Sequence, residues 1–376
     1  MKKLLPEICD IQYGYAFDSA KFSDKDGIPL VRIRDVVRGY SETKTTEDFP
    51  DEYIVNDGDI LIGMDGEFNI AKWRGGKAAL NQRVCKLIPK TVEKDYIFHY
   101  MPLALKKIED KTPFVTVKHL SAKELNKISV PYPDVKQQKR IAEALNNASK
   151  LISLRKKQLQ KLDDLIKARF VEMFGSIIEN RFPKCKLRDV AHIKHGFAFS
   201  GEFFSDTDNG VVLVTPGNFA IGGGFQENKN RYFTSDYPEE YILHAGDLIV
   251  TMTDLSKKAD TLGYGAIVPS SEKVYLHNQR IGLFDKLDKM LNPIFVRWYM
   301  QTDEYRKEIV RTSTGSTVHH TSPDRILDTT IFVPPIALQN SFVGFAKQVD
   351  QSKLSIHQSL EKLETLKQSL MQQYFG

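Results

Sequence analysis

Apolar side chains in two stretches of the chain recur at alternating spacings of four and three residues. The first stretch covers residues 141–173 and the second covers residues 342–374. Sustained spacing of this kind, with few glycines, predicts long helices that pack along an apolar seam. At ~1.5 Å of rise per residue, each helix would be ~50 Å long. The predicted seam consists of Ile141, Leu145, Ile152, Leu159, Leu162, Ile166, Ala346, Val349, Ile356, Leu360, Leu363 and Leu370.

The two stretches share one register. A shift of 201 positions places the second set of seam positions on the first. Matching registers favour helices that pair with each other as a coiled coil. The alternative is two separate amphipathic helices, each lying on its own globular part. Arg155, Lys353 and Lys367 fall inside the seam, where they weaken it and can fix the register of the pairing.

Outside these stretches the pattern changes to short apolar runs bounded by turn residues. Runs that follow a Gly-Asp turn or end at a proline predict strands, and these cover residues 59–63, 81–89, 128–131, 247–251 and 331–334. Two longer segments, residues 96–109 and 293–310, predict helices. A mixed region of strands and helices is therefore expected before each long helix.

The whole pattern occurs twice. Residues 117–121 (VKHLS) recur as residues 318–322 (VHHTS), 201 positions later. Nearer the N-terminus the offset is smaller, since residues 11–17 (IQYGYAF) match residues 193–199 (IKHGFAF) at 182. Insertions thus accumulate between shared landmarks, as expected when loops diverge on one scaffold. The chain is a tandem duplication of a unit of roughly 200 residues, and a duplicated binder most naturally recognises something that has two halves.

Composition narrows the class of protein. Of the 376 residues, 41% are apolar and 27% are charged, which fits a globular protein with sizeable cores. A net charge of +5 is compatible with a polyanionic partner without requiring one. The three cysteines, Cys9, Cys85 and Cys185, are isolated, so neither a disulfide framework nor a zinc site is expected. Their odd number, and the lack of a signal peptide or of a membrane-spanning apolar run, predict a cytoplasmic protein.

The order of these marks, repeated across nearly all of the chain, resembles the specificity subunit of type I restriction–modification systems. The marks in each half are a Gly-Asp-Ile/Leu strand, an Asn-Gln-Arg triplet, a proline-ended strand followed by glutamine (Gln137 and Gln339), and a helix that ends in Phe-Gly. No single motif is specific, but their order, found twice, is. The chain departs from the family in having almost no conserved stretch before Leu4.

The resemblance implies an α+β fold: two mixed α/β target-recognition domains in a pseudo-two-fold tandem repeat, separated by an antiparallel coiled coil of two long helices. The recognition domains would be residues 1–135 and 176–335, and the conserved helices residues 136–175 and 336–376. Each domain would read half of a gapped duplex DNA target. The helices would dock two methyltransferase subunits, joined by motor–nuclease subunits that cleave DNA. The chain itself would be non-catalytic and would need no cofactor.

Two domains that read different half-sites should differ where bases are read. Shared residues, such as Gly14 and Gly196 or Asp59 and Asp247, are therefore expected to form the framework, and divergent polar residues beside them to contact DNA. The candidate DNA-contacting residues are Tyr13, Tyr15, Arg32, Arg34, Lys72, Arg74, Lys77, Asn81, Gln82, Arg83, Lys118 and His119 in the first half, and His195, Thr215, Asn218, Lys257, Lys258, Asn278, Gln279, Arg280, His319 and His320 in the second.

Several of these candidates have a structural alternative. Asn, Gln and Arg can pair bidentately with bases, but the Asn-Gln-Arg triplet is shared by both halves and can equally belong to a scaffold strand or contact phosphate. The interleaved aromatics at 13–17 and 195–199 can stack on bases or form the buried face of a strand. The neighbouring His319 and His320 lack partners at metal-ligand spacing, so no metal site is expected.

Sequence motifs for catalysis are lacking. An adenine methyltransferase of this class needs an Asn/Asp-Pro-Pro-aromatic motif, and the nearest string, residues 333–336 (VPPI), lacks both its polar and its aromatic residue. Two alternatives to a DNA-reading subunit remain open. One is a solitary restriction or methyltransferase enzyme with an unrecognised active site, and the other is a coiled-coil adaptor that does not read DNA.

Overall fold

The computed structural model of the chain describes residues 1–111, 118–179 and 181–376, with the backbone alone at residue 177. Val117, the first residue of one repeated landmark, therefore lies outside the described residues. The chain divides into two compact units. The first comprises Met1–Lys157 and His357–Gly376, and the second comprises Gln158–Ile356. Each long helix thus contributes one part to each unit.

Within its described residues, the first unit contains short strands, four α-helices and the beginning of a long one. Its elements are β1 (Lys2–Leu4), α1 (Leu5–Ile8), β2 (Cys9–Tyr13), β3 (Phe22–Ser23), β4 (Ile28–Val31), α2 (Ile33–Arg38), β5 (Lys44–Thr45), β6 (Ile54–Val55), β7 (Ile60–Gly63), β8 (Ile70–Lys72), β9 (Ala78–Leu80), β10 (Val84–Pro89), α3 (Lys94–Lys111), α4 (Ala122–Asn126), β11 (Ser129–Pro131) and α5 (Val135–Phe174), of which the residues up to Lys157 belong here.

The second unit has the same plan. Its elements, after the end of α5, are β12 (Lys184–Lys186), β13 (Ala191–His195), β14 (Phe204–Ser205), β15 (Val211–Val214), β16 (Arg231–Phe233), β17 (Ile242–Leu243), β18 (Leu248–Thr251), β19 (Thr253–Asp254), β20 (Gly265–Ile267), β21 (Val274–His277), β22 (Ile281–Leu287), α6 (Pro293–Tyr299), α7 (Asp303–Thr312), β23 (His319–His320), α8 (Pro323–Leu327), β24 (Thr330–Phe332) and α9 (Ile336–Phe375), whose last part belongs to the first unit.

The strand order of the sheets repeats from one unit to the other. The first unit has sheets in the orders β1-β11, β2-β10-β7-β8 and β3-β5-β4-β9-β6. The second has β12-β24, β13-β22-β18-β20 and β14-β16-β15-β21-β17, together with a small two-stranded sheet, β19-β23. In each unit one pair of neighbouring strands is parallel, β4 with β9 and β15 with β21, and the other strand pairs are antiparallel among the described residues. The duplication seen in the sequence is therefore a duplication of topology.

Each unit is closed by the end of one long helix packing on the start of the other. In the first unit, Ile141 and Leu145 near the start of α5 share a core with Phe375 at the end of α9. In the second unit, Phe174 at the end of α5 packs on Phe342 near the start of α9, with 5.6 Å between ring centroids. The two helices run antiparallel within each unit. The predicted α+β class, with two mixed domains in tandem repeat and an antiparallel pair of long helices, is confirmed.

The predicted seam positions on both helices are buried or half-buried, whereas Leu151, Leu154 and Leu354 on other faces are exposed. Lys353 lies within the seam of the second unit. Its Nζ atom lies 2.6 Å from Oδ1 of Asp163 on α5. A charge inside an apolar seam that meets an opposite charge on the other helix favours one register, because a shift would break the pair between the helices.

A buried glutamine ties the start of each long helix to its unit. Gln138 and Gln339, which are 201 positions apart, are both fully buried. Their amides bond to backbone groups at 2.7 to 2.9 Å: Glu93 N and Pro133 O for Gln138, and Asn292 N, Met290 O and Pro334 O for Gln339. The sequence comparison matched Gln339 with Gln137, and this match is wrong by one position, since Gln137 is exposed.

Two predicted elements differ in the structure. The helix expected over residues 293–310 is broken into α6 and α7 at Thr302, whose backbone is extended and whose Oγ1 donates to Tyr299 O at 2.8 Å. The strand expected over 81–89 starts only at Val84. The residues before it form a turn, closed by the Val84 amide, which donates to Asn81 O at 2.9 Å.

Candidate nucleic-acid interface

The Asn-Gln-Arg triplet sits at the same turn in both units. Asn81 and Asn278 are nearly buried, and their Oδ1 atoms accept from the backbone amides of Arg83 and Arg280. The Asn backbone touches a glycine of the preceding aromatic segment. A Cβ atom on Gly14 would lie 2.1 Å from Asn81 O, as it would from Asn278 O on the equivalent glycine. The asparagine is therefore part of the framework, which supports the structural interpretation for this one member of the triplet.

The other two members of the triplet leave this turn toward solvent in the first unit. Gln82 and Arg83 are exposed, and the backbone amide of Gln82 donates to Tyr15 O at 2.9 Å. Arg83 is held by Asp65, with 2.8 Å between its guanidinium and the carboxylate. The same carboxylate lies 2.5 Å from Nδ1 of His119. Two candidates from distant parts of the sequence, Arg83 and His119, thus meet at one surface, organised by Asp65.

The second unit differs at this point. Thr253 occupies the position of Asp65. The equivalence follows from the preceding residues, Met64 and Met252, because the backbone amide of each donates to the carbonyl of the triplet arginine in its own unit. Thr253 Oγ1 lies 3.2 Å from Nδ1 of His320, and the triplet arginine, Arg280, is exposed. Within a shared frame, the first unit therefore pairs its arginine and histidine with a carboxylate, whereas the second unit places a buried threonine hydroxyl beside its histidine.

Sequence reasoning missed Asp65 and Thr253. The offset of 188 that matches Gly58 with Gly246 also matches these two residues. The signal was present in the sequence, but its importance depends on the arginine and histidine that the fold brings to it. By the criterion that divergent residues in a shared frame specify the target, this position belongs among the candidates.

The aromatic candidates pack mainly on one another. The Tyr15 ring lies 4.9 Å from Phe17 and 5.2 Å from Tyr53, and Phe197 has equivalent neighbours in Phe199 and Tyr241 at 5.0 and 5.2 Å. These distances are typical of edge-to-face aromatic clusters within a protein.

Tyr13 and His195, at the ends of equivalent strands, differ in exposure. Burial raises the pKa of Tyr13, whose hydroxyl is enclosed. His195 is exposed, and its Nδ1 atom lies 3.2 Å from Gly196 O. The buried-face interpretation of this segment is therefore favoured for the tyrosine, and His195 remains accessible.

The basic candidates of the first unit fall into two groups. Arg32, Arg34, Arg74 and Lys77 are exposed. Lys72 and Lys118 are instead engaged within the unit: Lys72 Nζ lies 2.5 Å from Asp95 Oδ1, and Lys118 Nζ donates to Glu109 O at 2.7 Å. The exposed group is better placed to meet a polyanion, because its charges are presented to solvent.

Asn218 has a structural role that the sequence did not reveal. It is fully buried, and its Oδ1 accepts from the backbone of Thr215 at 2.9 Å while its Nδ2 donates to Asn230 at 2.7 Å. Asp35 occupies the same place in the first unit, where it accepts from the Arg32 amide at 3.0 Å. Both residues fix the turn that ends a strand, which favours a structural role for Asn218.

The remaining candidates of the second unit differ in accessibility. Lys257 and Lys258 are exposed in the loop after β19, and Thr215 and His319 are half-buried. Gln279 is half-buried too, with its Oε1 atom enclosed and without a hydrogen-bond partner among the described residues.

The described residues offer little for catalysis. No group of three or more His, Cys, Asp or Glu side chains among them could hold a metal ion. Burial raises the pKa of the Cys9 and Cys85 thiols to about 12, so neither is a reactive thiolate near neutral pH. In the same part of the chain, no helix has the length and apolar character needed to span a bilayer.

Comparison with known proteins identifies relatives of both halves. A family model described as the type I restriction modification DNA specificity domain matches residues 1–164 and 181–368. The chain is 35% identical over 183 residues to the specificity subunit of the type I restriction enzyme EcoBI of Escherichia coli, covering 48% of this chain and 39% of that protein. It is 24% identical over 374 residues to the MjaVIII specificity subunit of Methanocaldococcus jannaschii, covering 91% of this chain and 87% of that protein.

Solved structures show the same fold. A crystal structure of a type I restriction–modification S subunit from M. genitalium matches with a TM-score of 0.58 at 12% identity, covering 100% of this chain and 96% of that one. A chain from a structure of type I restriction–modification complex assembly matches with a TM-score of 0.52 at 13% identity, covering 100% and 97%.

Proposed function

Because the chain belongs to the family of type I restriction–modification DNA specificity domains, we propose that it is the DNA-recognition subunit of such a system. The observation that carries this proposal is the match of that family to both halves, together with sheet orders that repeat from one unit to the other. Members of this family recognise DNA and leave the chemistry to other subunits.

The proposed target is a gapped duplex sequence in two parts. The recognition domains, residues 1–135 and 176–335, each read one part. Shared framework residues such as Asn81 and Asn278 set the same turn in both units, and residues beside that turn differ, as Asp65 differs from Thr253 and Tyr13 from His195. Equivalent frames with different side chains suit the reading of two different base sequences in equivalent poses.

The proposed partners supply catalysis. Two methyltransferase subunits dock on the long helices, and each methylates an adenine that is flipped out of the stack into its own active site. Motor–nuclease subunits join this assembly for cleavage. The chain itself holds no cofactor and acts in the cytoplasm, where chromosomal DNA is accessible.

Mapping of genomic adenine methylation in the native host, with and without this gene, tests the proposal. We expect one gapped motif to be methylated in the wild-type cells and to lose its methylation entirely in the deletion strain. A deletion strain with an unchanged methylation map, or a motif without a gap, would contradict the proposal. As a control, the purified chain incubated alone with DNA, magnesium and methyl donor should neither cleave nor methylate, and activity of the lone chain would favour the solitary-enzyme alternative.

A further inference from the structure

The second unit contains a loop that the first unit lacks. Residues 252–264 connect β18 to β20, whereas the equivalent connection between β7 and β8 takes only residues 64–69. Thr253, the second residue of the longer loop, lies beside His320, so the loop adjoins the surface where the two units differ. Its sequence includes two of the candidate lysines, Lys257 and Lys258.

Asp254 organises the base of this loop. It is 4% exposed, and its two carboxylate oxygens accept from the amides of Ser256, Thr261 and Leu262 and from the Thr261 hydroxyl. Burial works to raise the pKa of Asp254, but these donors lower it overall, so the group is an anion at neutral pH. A carboxylate that accepts several bonds from one loop fixes the path of that loop.

Arg306 on α7 also holds this loop in place. Its guanidinium donates to Ala259 O and lies 4.3 Å from the ring centroid of Tyr264. Ala259 is buried and has a φ angle of +52°. This left-handed conformation is unfavourable for any residue that carries a side chain. Such a conformation persists only where the surroundings impose it, and it is typical of functional segments. The loop is therefore pre-organised rather than loose.

The first part of this rigid loop exposes an apolar side chain close in sequence to two cations. Leu255 is 67% exposed, and Lys257 and Lys258 beside it are exposed too. An exposed apolar side chain on a fixed loop, followed closely in sequence by two exposed cations, matches what a DNA duplex offers. The lysines can meet phosphates, and the leucine can meet an apolar base edge such as the thymine methyl group.

We propose that loop 252–264 determines base specificity in the half-site read by the second unit. In this arrangement Leu255 contacts a base edge, Lys257 and Lys258 contact phosphates, and Asp254 and Arg306 are positioning residues that hold the loop. The proposal rests on the proposed function of DNA recognition, and it names the element that carries recognition in one unit.

Selection from random duplex DNA, with the full-length chain in the complex in which it purifies, tests the role of Leu255. We expect Leu255→Ala to relax the preference at one or two base pairs of a single half-site, by roughly tenfold, and to leave the other half-site unchanged. The matched control is Ile221→Ala, which removes an apolar side chain that is 78% exposed in another loop of the same unit. Selection with Ile221→Ala should enrich the same motif as selection with the wild-type protein.

The lysines should behave differently. Lys257→Ala combined with Lys258→Ala should weaken binding to cognate and unrelated duplexes by the same factor. The slope of log affinity against log salt should fall by about two, as expected for two lost phosphate contacts. A base-dependent loss, or an unchanged slope, would overturn the assignment of these lysines to phosphates.

The positioning role of Asp254 is separated from a merely structural one by a double-mutant cycle. Asp254→Asn should relax the same base pair as Leu255→Ala, and the double variant should be no worse than either single variant. Ala259→Gly removes the backbone strain and should keep the wild-type motif with an unchanged or higher melting temperature. If Asp254→Asn instead abolished the whole half-site, the positioning role would be overturned.

The outcomes of the selection distinguish a failure of the loop inference from a failure of the proposed function. If wild-type protein selects a gapped motif and Leu255→Ala selects the identical motif with identical preference, the loop inference fails and DNA recognition stands. If wild-type protein selects no motif at all, the proposed function itself fails.

Discussion

Single residues in this protein separate into those that build a shared frame and those that vary upon it. The frame depends on close approach: a Cβ atom on Gly196 would lie 2.1 Å from the Asn278 carbonyl oxygen. No side chain fits there without moving the triplet turn away from the aromatic segment. The polar residue after the methionine that both units share, Asp65 in the first unit and Thr253 in the second, varies upon this frame.

Gly196→Ala should destabilise the second unit by about 1–3 kcal/mol or more, because the added methyl group overlaps backbone that cannot yield. Thermal unfolding of the purified chain measures the effect. Gly201→Ala is the matched control, since nothing lies within 4 Å of a Cβ atom at that position. Equal melting temperatures for the two variants would contradict the frame.

Asp65→Thr should strengthen binding to DNA of any sequence. The substitution installs the residue of the second unit and frees Arg83 from its ion pair, so one more cation becomes available to phosphates. We expect the slope of log affinity against log salt to steepen by about one. Fluorescence anisotropy over a salt series measures it. Asp24→Thr removes the same charge from an exposed position elsewhere, and an equal response to both would show that only net charge matters.

His277 should make the second unit sensitive to acid. It is fully buried, with Nε2 lying 2.8 Å from Ile281 O, and desolvation lowers its pKa to about 4. The unfolded chain takes up a proton near pH 6.5, and the folded chain does so only near pH 4. Stability is therefore complete above pH 6.5 and falls by about 3 kcal/mol as the pH drops to 4.

The substitution His277→Leu tests this dependence of stability on pH. Leucine is the natural replacement because the first unit carries Leu80 at the equivalent position. Melting temperatures of wild type and variant, measured from pH 7.5 to pH 4, should diverge below pH 6.5, with the wild type falling faster. Parallel curves would show that the buried imidazole does not control acid stability.

At the level of elements, the buried glutamines join each long helix to its unit. Gln339→Leu should destabilise the protein by about 2–4 kcal/mol, because the Asn292 amide and two carbonyls would remain buried without partners. Gln138→Leu should have a similar effect in the first unit. Gln137→Leu, at an exposed position, should change stability by less than about 0.5 kcal/mol. Thermal unfolding of the three variants decides which glutamines are equivalent, and a larger effect at Gln137 would restore the original match.

Periodicity predicted the elements better than their details. The heptad spacing predicted helices within a few residues of α5 and α9, since a long apolar seam is a local pattern. The break between α6 and α7, and the turn that begins at Asn81, depend on side-chain bonds to backbone that apolar spacing does not encode.

The candidate site was less predictable than the elements. Exposed arginines could be named from sequence, but whether a polar residue faces solvent depends on tertiary contacts. Lys72 is engaged by Asp95, and Asn218 is buried against Thr215. Asp65 gained its importance only when the fold brought Arg83 and His119 to it.

At the scale of the whole molecule, each half of the chain contributes a helix end that completes the hydrophobic core of the other unit. Helix α5 starts in the core of the first unit and ends with Phe174 in the core of the second, and α9 starts in the second and ends with Phe375 in the first. Phe375 packs on Tyr96 and Tyr100 at 5.2 and 5.4 Å between ring centroids. Neither unit has a complete core without helix from the other half, so the two recognition domains are expected to be exchangeable only when both long helices are retained.

Exchange of one recognition domain tests the account most directly. Residues 1–135 would be replaced by the corresponding domain of a relative with a different target, with both long helices kept, and the methylated motif would be mapped in cells that carry the hybrid and its partner subunits. The account predicts a new sequence in one half of the motif, with the other half and the gap unchanged. A change in both halves, or a continuous motif, would contradict it.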